Sequence, residues 1–197
     1  MKPLIVWDFD DVLFPLTEAW FTVCGPKIQS RITHFHQITE NPPHLIMGIS
    51  LEYYHESLDN FRNSEEAQLI QLNPNISDWL RVNGAAYQHF ILTARPLNTI
   101  KAAQCWLGNN FSEPLAGFGF VPAGRTGQEL SGYYRSKQDY LMGEGMLPNY
   151  FIDDNATTIN AVAKGSHGAV TILFPAPWNR AWSDKENIQA LLPGGLK

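Results

Sequence analysis

Residues 4–12 read Leu4-Ile5-Val6-Trp7-Asp8-Phe9-Asp10-Asp11-Val12: four apolar residues, then three carboxylates within four positions. A run this short and this apolar reads as a strand buried on both faces, as in a parallel sheet. Its abrupt end in acids places charged groups at a strand terminus, and ligands of open parallel sheets bind at the carboxyl edge of their strands. Further along, His89 to Leu92, Gly117 to Val121, Tyr150 to Ile152 and Val170 to Phe174 repeat the short apolar pattern. Helical spacing fills the intervals Pro96 to Leu107, Ser136 to Gly143 and Thr157 to Lys164, with Pro96 suited to a first turn and Ser136 and Asn155 suited to caps. The alternation predicts an α/β fold: a Rossmann-like core with a mostly parallel sheet flanked by helices.

Residues 17–85 break the rhythm. Amphipathic stretches at Glu18 to Val23, Leu51 to Phe61 and Glu65 to Leu72, with a proline-containing loop at Asn41 to His44, outline a small α-helical cap, and Ile76 to Val82 reads as a helical linker back to the core. The expected division is a catalytic core of residues 1–16 and 86–197 with a cap and linker at 17–85. The last residues, after about Pro193, read as frayed.

The chain has 197 residues, enough to bury about 70% of its unfolded surface. Its formal net charge is -5 and its 14 basic residues are scattered, which argues against wrapping a nucleic-acid polymer. Leu4 to Trp7 is too short for a signal segment or a membrane span, and Cys24 and Cys105 form no disulfide scaffold; a cytoplasmic protein is expected, with no membrane partner. The histidines (His34, His36, His44, His55, His89, His167) lack partners at zinc spacing, so none is assigned a metal. Gly117, Gly119, Gly124 and Gly127 are not gathered at a strand-to-helix turn and support no dinucleotide site.

Three expected strands end in reactive side chains: Asp8-Phe9-Asp10 after the first, Thr93-Ala94-Arg95 after the second, Asp153-Asp154-Asn155 after the fourth. Carboxylates from two strand ends meet only if a cation or proton neutralises them, and an all-oxygen set suits Mg²⁺. A carboxylate beside such an ion can attack phosphorus. Asp8 is the expected nucleophile and Asp10 the acid that protonates the leaving oxygen and then activates water; Thr93 would meet a phosphate oxygen and Lys137 would neutralise developing charge.

This pattern resembles the haloacid dehalogenase (HAD) superfamily, whose four motifs occur here in order: an apolar strand followed by Asp8, Asp10 and Val12; a strand ending in Thr93; Lys137, with Arg135 its nearest substitute; and a strand followed by Asp153 and Asp154. The match covers residues 1–16 and about 86–175. It implies an aspartyl-phosphate intermediate and Mg²⁺ held by Asp8, the Asp10 carbonyl and Asp153, with Asp154 binding directly or through water. Dehalogenases of the superfamily lack an acid at the second motif-one position, so Asp10 points to phosphate; phosphonate-cleaving relatives use a cap lysine, and the cap offers only Lys27.

Three strings, Leu92 to Pro96, Ile152 to Asn155 and Phe174 to Arg180, resemble the 5'(3')-deoxyribonucleotidase-like group, although Asp11 stands where many of those relatives carry glycine. The expected activity is a phosphatase acting on a small phosphorylated substrate, first a nucleoside monophosphate. Phe14 and Trp20 would supply stacking surface, and Ala94 and Arg95 would touch substrate. Phosphotransfer to an acceptor other than water, or noncatalytic phospho-ligand binding, are the alternatives.

Overall fold

The computed structural model describes residues 2–123, 131–165 and 168–194. Gly124, Gly127 and His167 lie outside the described residues. Five strands, β1 (Leu4–Trp7), β2 (Gln88–Arg95), β3 (Leu115–Pro122), β4 (Tyr150–Asp153) and β5 (Val170–Leu173), form one sheet in the order β3-β2-β1-β4-β5, and every neighbouring pair is parallel. β1 is central, with Val6 level with Phe90 on one side and Phe151 on the other. The chain builds outward from β1 to β3, then returns to the opposite side of β1 for β4 and β5. That reversal makes the carboxyl edge beside β1 the place for a ligand.

Helices α1 (Leu16–Cys24), α2 (His44–Met47), α3 (Leu51–Arg62), α4 (Glu65–Gln68) and α5 (Pro74–Asn83) lie between β1 and β2; α6 (Ile100–Asn110), α7 (Lys137–Gly143), α8 (Ala156–Gly165) and α9 (Ile188–Leu191) follow. Alternate side chains of β1 serve two layers, as the strand period requires. Ile5 and Trp7 join the cluster that holds Trp79 of α5 and Trp106 of α6, whereas Val6 packs with Leu141 of α7 and Ile159 and Val162 of α8. Trp20, Tyr54, Leu58 and Phe61 of the insert belong to the first cluster, so its apolar interior is continuous with one face of the sheet.

Where structure and expectation part, tertiary contacts explain it. The expected helix 65–72 stops at Gln68, and the Ile70 carbonyl instead accepts the indole N–H of Trp106 at 2.7 Å. The segment expected as a linker, α5, is part of the sheet's covering: Trp79 meets Trp7 edge to face at 5.6 Å and donates its indole N–H to the Pro193 carbonyl at 3.0 Å. That bond, with buried Leu192, also ties down the described end of the chain. α2 begins at the last residue of the expected loop, His44, and is one turn, closed by Gly48 at φ 74°.

β2 runs on through Thr93 to Arg95, because β3 pairs with it as far as Arg95–Pro122. Two glycines of β3 permit this packing: a Cβ at Gly117 would lie 2.6 Å from Phe90, and one at Gly119 2.5 Å from Tyr140. His89 is an interior hydrogen-bonding group. Trp7 can only donate, so Nδ1 of His89 accepts its indole N–H at 3.1 Å and Nε2–H donates to the Gly84 carbonyl at 2.9 Å. Burial holds this ring's pKa below the usual histidine value, in keeping with a neutral imidazole. No described helix is long and apolar enough to cross a membrane.

Candidate active site

The turn after β1 carries the acids to the sheet edge. Asp8 still belongs to the ladder, its N–H donating to the Ile152 carbonyl at 2.8 Å, and this fixes its side chain beside the end of β4. Beyond it the chain doubles back: Leu13 and Phe14 N–H groups both donate to the Phe9 carbonyl, and Asp11 sits at φ 60°. Asp tolerates the left-handed region better than most side chains. Here its carboxylate also accepts the backbone N–H and the hydroxyl of Thr17, each at 2.7 Å, at the start of α1. Asp11 therefore makes the turn that glycine would make and adds a cap. Burial lifts its pKa to about 7, against the two Thr17 bonds.

One side of the turn is a carboxylate cluster. Asp8, Asp153 and Asp154 are all buried, with one carboxylate oxygen of each within 4.8 Å of the others. Lys137, at the first turn of α7 behind its Ser136 cap, reaches into the cluster, with Nζ 2.6 Å from Asp8 Oδ1 and 2.7 Å from Asp153 Oδ2. Phe9 N–H also donates to Asp8 Oδ1 at 2.6 Å. Burial pushes the Asp8 carboxyl well above its ordinary range; Lys137 opposes this, and Asp153 and Asp154 add to it. Asp154 is raised for the same reasons, burial first and then Asp153 and Asp11. The Lys137 pKa is raised too, by the opposite balance: burial would lower it, but Asp153 and Asp8 together outweigh burial and keep the ammonium charged. Three buried carboxylates face one ammonium, an all-oxygen donor set short of positive charge. That chemistry fits a hard divalent cation such as Mg²⁺.

The other side of the turn is built oppositely. Asp10 Oδ2 accepts from Arg95 Nε at 2.9 Å and from Arg62 Nη2 at 2.9 Å, and Arg62 Nη1 also donates to Asp59 at 2.8 Å. Burial would raise the Asp10 pKa, but Arg95 and then Arg62 more than offset it and leave the carboxyl below its ordinary value. Asp10 Oδ1 is buried without a hydrogen-bond partner. Arg95 itself is 1% exposed, its guanidinium carbon 4.8 Å over the Phe9 ring, so its place is fixed. It holds Asp10 in position.

A cavity of about 470 Å³ opens between these two sides. Asp8, Asp10, Lys137, Asp153, Asp154, Ala94 and Arg135 line it from the sheet edge, and Tyr54, His55, Leu58 and Arg62 from α3. Thr93 lies beneath, fully buried, with a hydroxyl that has no hydrogen-bond partner. Of the expected substrate residues only Ala94 reaches the wall directly. Phe14 and Trp20 do not line this cavity: Phe14 is 2% exposed, packed between Phe9 and Trp106, and Trp20 is 0% exposed against Tyr54, its indole N–H on Ser57. Only the first turn of α1, at Leu16 and Thr17, borders the cavity; Trp20 packs against Tyr54, and α3 supplies the wall on that side. Arg62 went unremarked in the sequence, where a lone arginine at the end of an amphipathic helix resembles any surface charge. The spacing of Tyr54, Leu58 and Arg62, every fourth residue of α3, is the one local sign that they share a face.

No family model matches the sequence, and no curated protein does. Among solved structures, a hydrolase from Streptococcus pneumoniae aligns over 93% of this chain and 98% of its own at 17% identity, with a TM-score of 0.52. A haloacid dehalogenase-like family hydrolase from the same organism covers 87% and 83% at 16% identity with TM-score 0.52. L-2-haloacid dehalogenase from Xanthobacter autotrophicus, with chloropropionic acid covalently bound, covers 98% and 85% at 13% identity, again with TM-score 0.52. At such identities the likeness is one of fold: this chain has the α/β architecture of HAD-type hydrolases.

Proposed function

We propose that this HAD-fold chain is a Mg²⁺-dependent phosphatase of small organic phosphate monoesters, working through an aspartyl phosphate on Asp8. The observation that carries the reading is the placing of two aspartates, two residues apart, in opposite electrostatic settings on one cavity. Asp8, Asp153 and Asp154, with the Asp10 carbonyl, would hold Mg²⁺, which supplies charge neutralisation to a phosphate dianion. Asp8 Oδ1 is engaged by Lys137 and the Phe9 N–H, so Oδ2 is the oxygen to attack phosphorus. The P–O bond to the alcohol breaks as the Asp8–phosphorus bond forms, Asp10 gives a proton to the departing oxygen, and Asp10 then takes a proton from the water that attacks the phosphoaspartate.

Oδ1 would be the Asp10 oxygen that makes these transfers, since it has no hydrogen-bond partner and Oδ2 already accepts from two guanidiniums. In the empty site the arginines favour the carboxylate, the form that activates water. A bound dianion places negative charge beside Asp10 and competes for Arg62, the guanidinium of the two that lines the cavity, which raises Asp10 toward the protonated form that the first step needs. Thr93, with its unpartnered hydroxyl, would donate to a phosphate oxygen, and Lys137 would balance charge on the phosphoryl group.

Asp10 favours phosphate over organohalide as substrate, since the superfamily's dehalogenases lack that acid. A nucleoside monophosphate is the first substrate to try. With Phe14 and Trp20 in the core, Tyr54 and His55 are the rings that border the cavity. The test is steady hydrolysis of p-nitrophenyl phosphate with Mg²⁺, and Asp8→Asn should lower it by about three orders of magnitude or more. A wild type as inert as Asp8→Asn would leave noncatalytic phospho-ligand binding in its place. Transfer of labelled phosphate to added alcohols in preference to water would assign phosphotransfer instead.

A further inference from the structure

The segment after β5, Phe174-Pro175-Ala176-Pro177-Trp178-Asn179, closes against the end of β4 through the Phe174 N–H, which donates to the Asp153 carbonyl at 2.8 Å, and through the side chains of Asn179 and Trp178. Asn179 fills both halves of its amide: Nδ2 donates to the carbonyls of Asp154 and Phe174, each at 2.8 Å, while Oδ1 accepts the N–H groups of Ala181 at 3.0 Å and Ala176 at 3.3 Å. The loop is thereby stapled to the backbone of Asp154. With the loop held there, Trp178 Nε1–H donates to Asp154 Oδ2 at 2.8 Å.

The partner is unusual for its surroundings. Asp8, Asp153 and Asp11 are the acids around Asp154, and the cluster's ammonium is bonded to Asp8 and Asp153. An indole N–H is a neutral, donor-only group that titrates in no accessible range, so it can hold a carboxylate without competing with a cation for charge. The ring is itself wedged, meeting Phe35 edge to face at 6.2 Å. Held at both ends, it fixes the plane of the Asp154 carboxylate.

We infer that Trp178 is a positioning residue for Asp154: its indole, anchored by Asn179 and Phe35, pre-orients that carboxylate for the divalent cation. The inference rests on the reading of Asp8, Asp153 and Asp154 as a Mg²⁺ site. Outer hydrogen bonds to metal-ligating groups commonly contribute ten- to hundred-fold in affinity.

Calorimetric titration with Mg²⁺ tests it. Trp178→Phe keeps an aromatic ring and removes the donor, and should bind Mg²⁺ about ten- to hundred-fold more weakly than wild type. Trp178→Gln packs worse but keeps an N–H donor, and should bind more tightly than Trp178→Phe. If affinity instead follows packing, with Phe above Gln, or if Trp178→Phe binds like wild type, the positioning role falls. Should Trp178→Phe fail to fold, the indole N–H resonance of Trp178 in the wild type serves. It should move in step with Mg²⁺ saturation, and a resonance indifferent to saturating Mg²⁺ overturns the inference. Asp153→Asn separates the two readings. If wild type takes up no Mg²⁺, or Asp153→Asn binds as well as wild type, the metal site itself fails and the role of Trp178 with it.

Discussion

Asp8 and Asp10 sit two residues apart on one turn, their side chains 9% and 14% exposed, and the protein treats them in opposite ways. Around Asp8, three carboxylates share a single ammonium, and its pKa is pushed up; around Asp10, two guanidiniums attend one carboxylate oxygen, and its pKa is held down. Burial acts on both in the same direction. The difference lies in which cations the tertiary fold delivers: a lysine from α7 to one side, an arginine from β2 and another from α3 to the other. A site short of positive charge has use for a metal ion, and a site supplied with it keeps its acid ionised. One turn thus carries two carboxylates in opposite electrostatic settings.

The strongest way to break the contrast is to remove the cation on the Asp8 side. Lys137→Met leaves buried carboxylates unpaired, and loss of one partner from a buried ion pair typically costs about 3–5 kcal/mol. Metal-free protein should show that loss as a lower urea midpoint, larger at pH 8 than at pH 5 because protonation of Asp8 relieves it. Added Mg²⁺ should recover part of it. Wild-type stability in the metal-free variant would mean that Lys137 does not balance the cluster.

A smaller effect is expected on the other side. Arg62→Met leaves Arg95 on Asp10 and removes one bond from Asp59, whose side chain is 21% exposed, so the cost should be about 1–3 kcal/mol, the range of a charged hydrogen bond. Its sharper signature is kinetic. With one guanidinium gone the Asp10 pKa rises, and the acidic limb of the pH–rate profile for phosphate hydrolysis should move to higher pH. An unmoved limb would show that Arg62 is not what keeps Asp10 ionised.

The pH dependence of the metal-free fold tests the contrast without any substitution. A carboxyl raised by folding contributes stability that is present below its unfolded pKa and lost as pH rises through its folded value. Asp8, Asp154 and Asp11 are all raised, so metal-free stability should fall from about pH 4 toward pH 8, by at most about 1.4 kcal/mol per pH unit for each group. Asp10, lowered, is ionised in both states across that window and adds no slope. His89, lowered by burial, works the other way, its contribution falling away below about pH 6.5. Thermal melts in a chelator at pH 5, 6.5 and 8 measure the sum, and saturating Mg²⁺ should flatten it. A metal-free protein that gains stability up to pH 8 would contradict the reading of the Asp8 cluster.

The sequence by itself determined the sheet and the list of acids. β1 was legible to the residue at Leu4–Trp7, and the other four strands to within a few positions at each end, because strands of a helix-covered parallel sheet write themselves as short apolar runs, the part-exposed edge strands β3 and β5 included. That Asp8, Asp153 and Asp154 would meet was legible because a parallel sheet collects the residues that follow its strands on one edge, whereas Lys137, at the start of α7, was picked out by the order of the motifs. Tertiary structure alone decided who stands beside whom. Arg62 on Asp10, Trp178 on Asp154, and Phe14 and Trp20 in the core depend on how residues 17–85 and the segment after β5 fold back over that edge. Local periodicity records which face of a helix is apolar, but not which distant charge its last turn will meet. A contact between residues 52 positions apart, as between Asp10 and Arg62, leaves no mark on either neighbourhood.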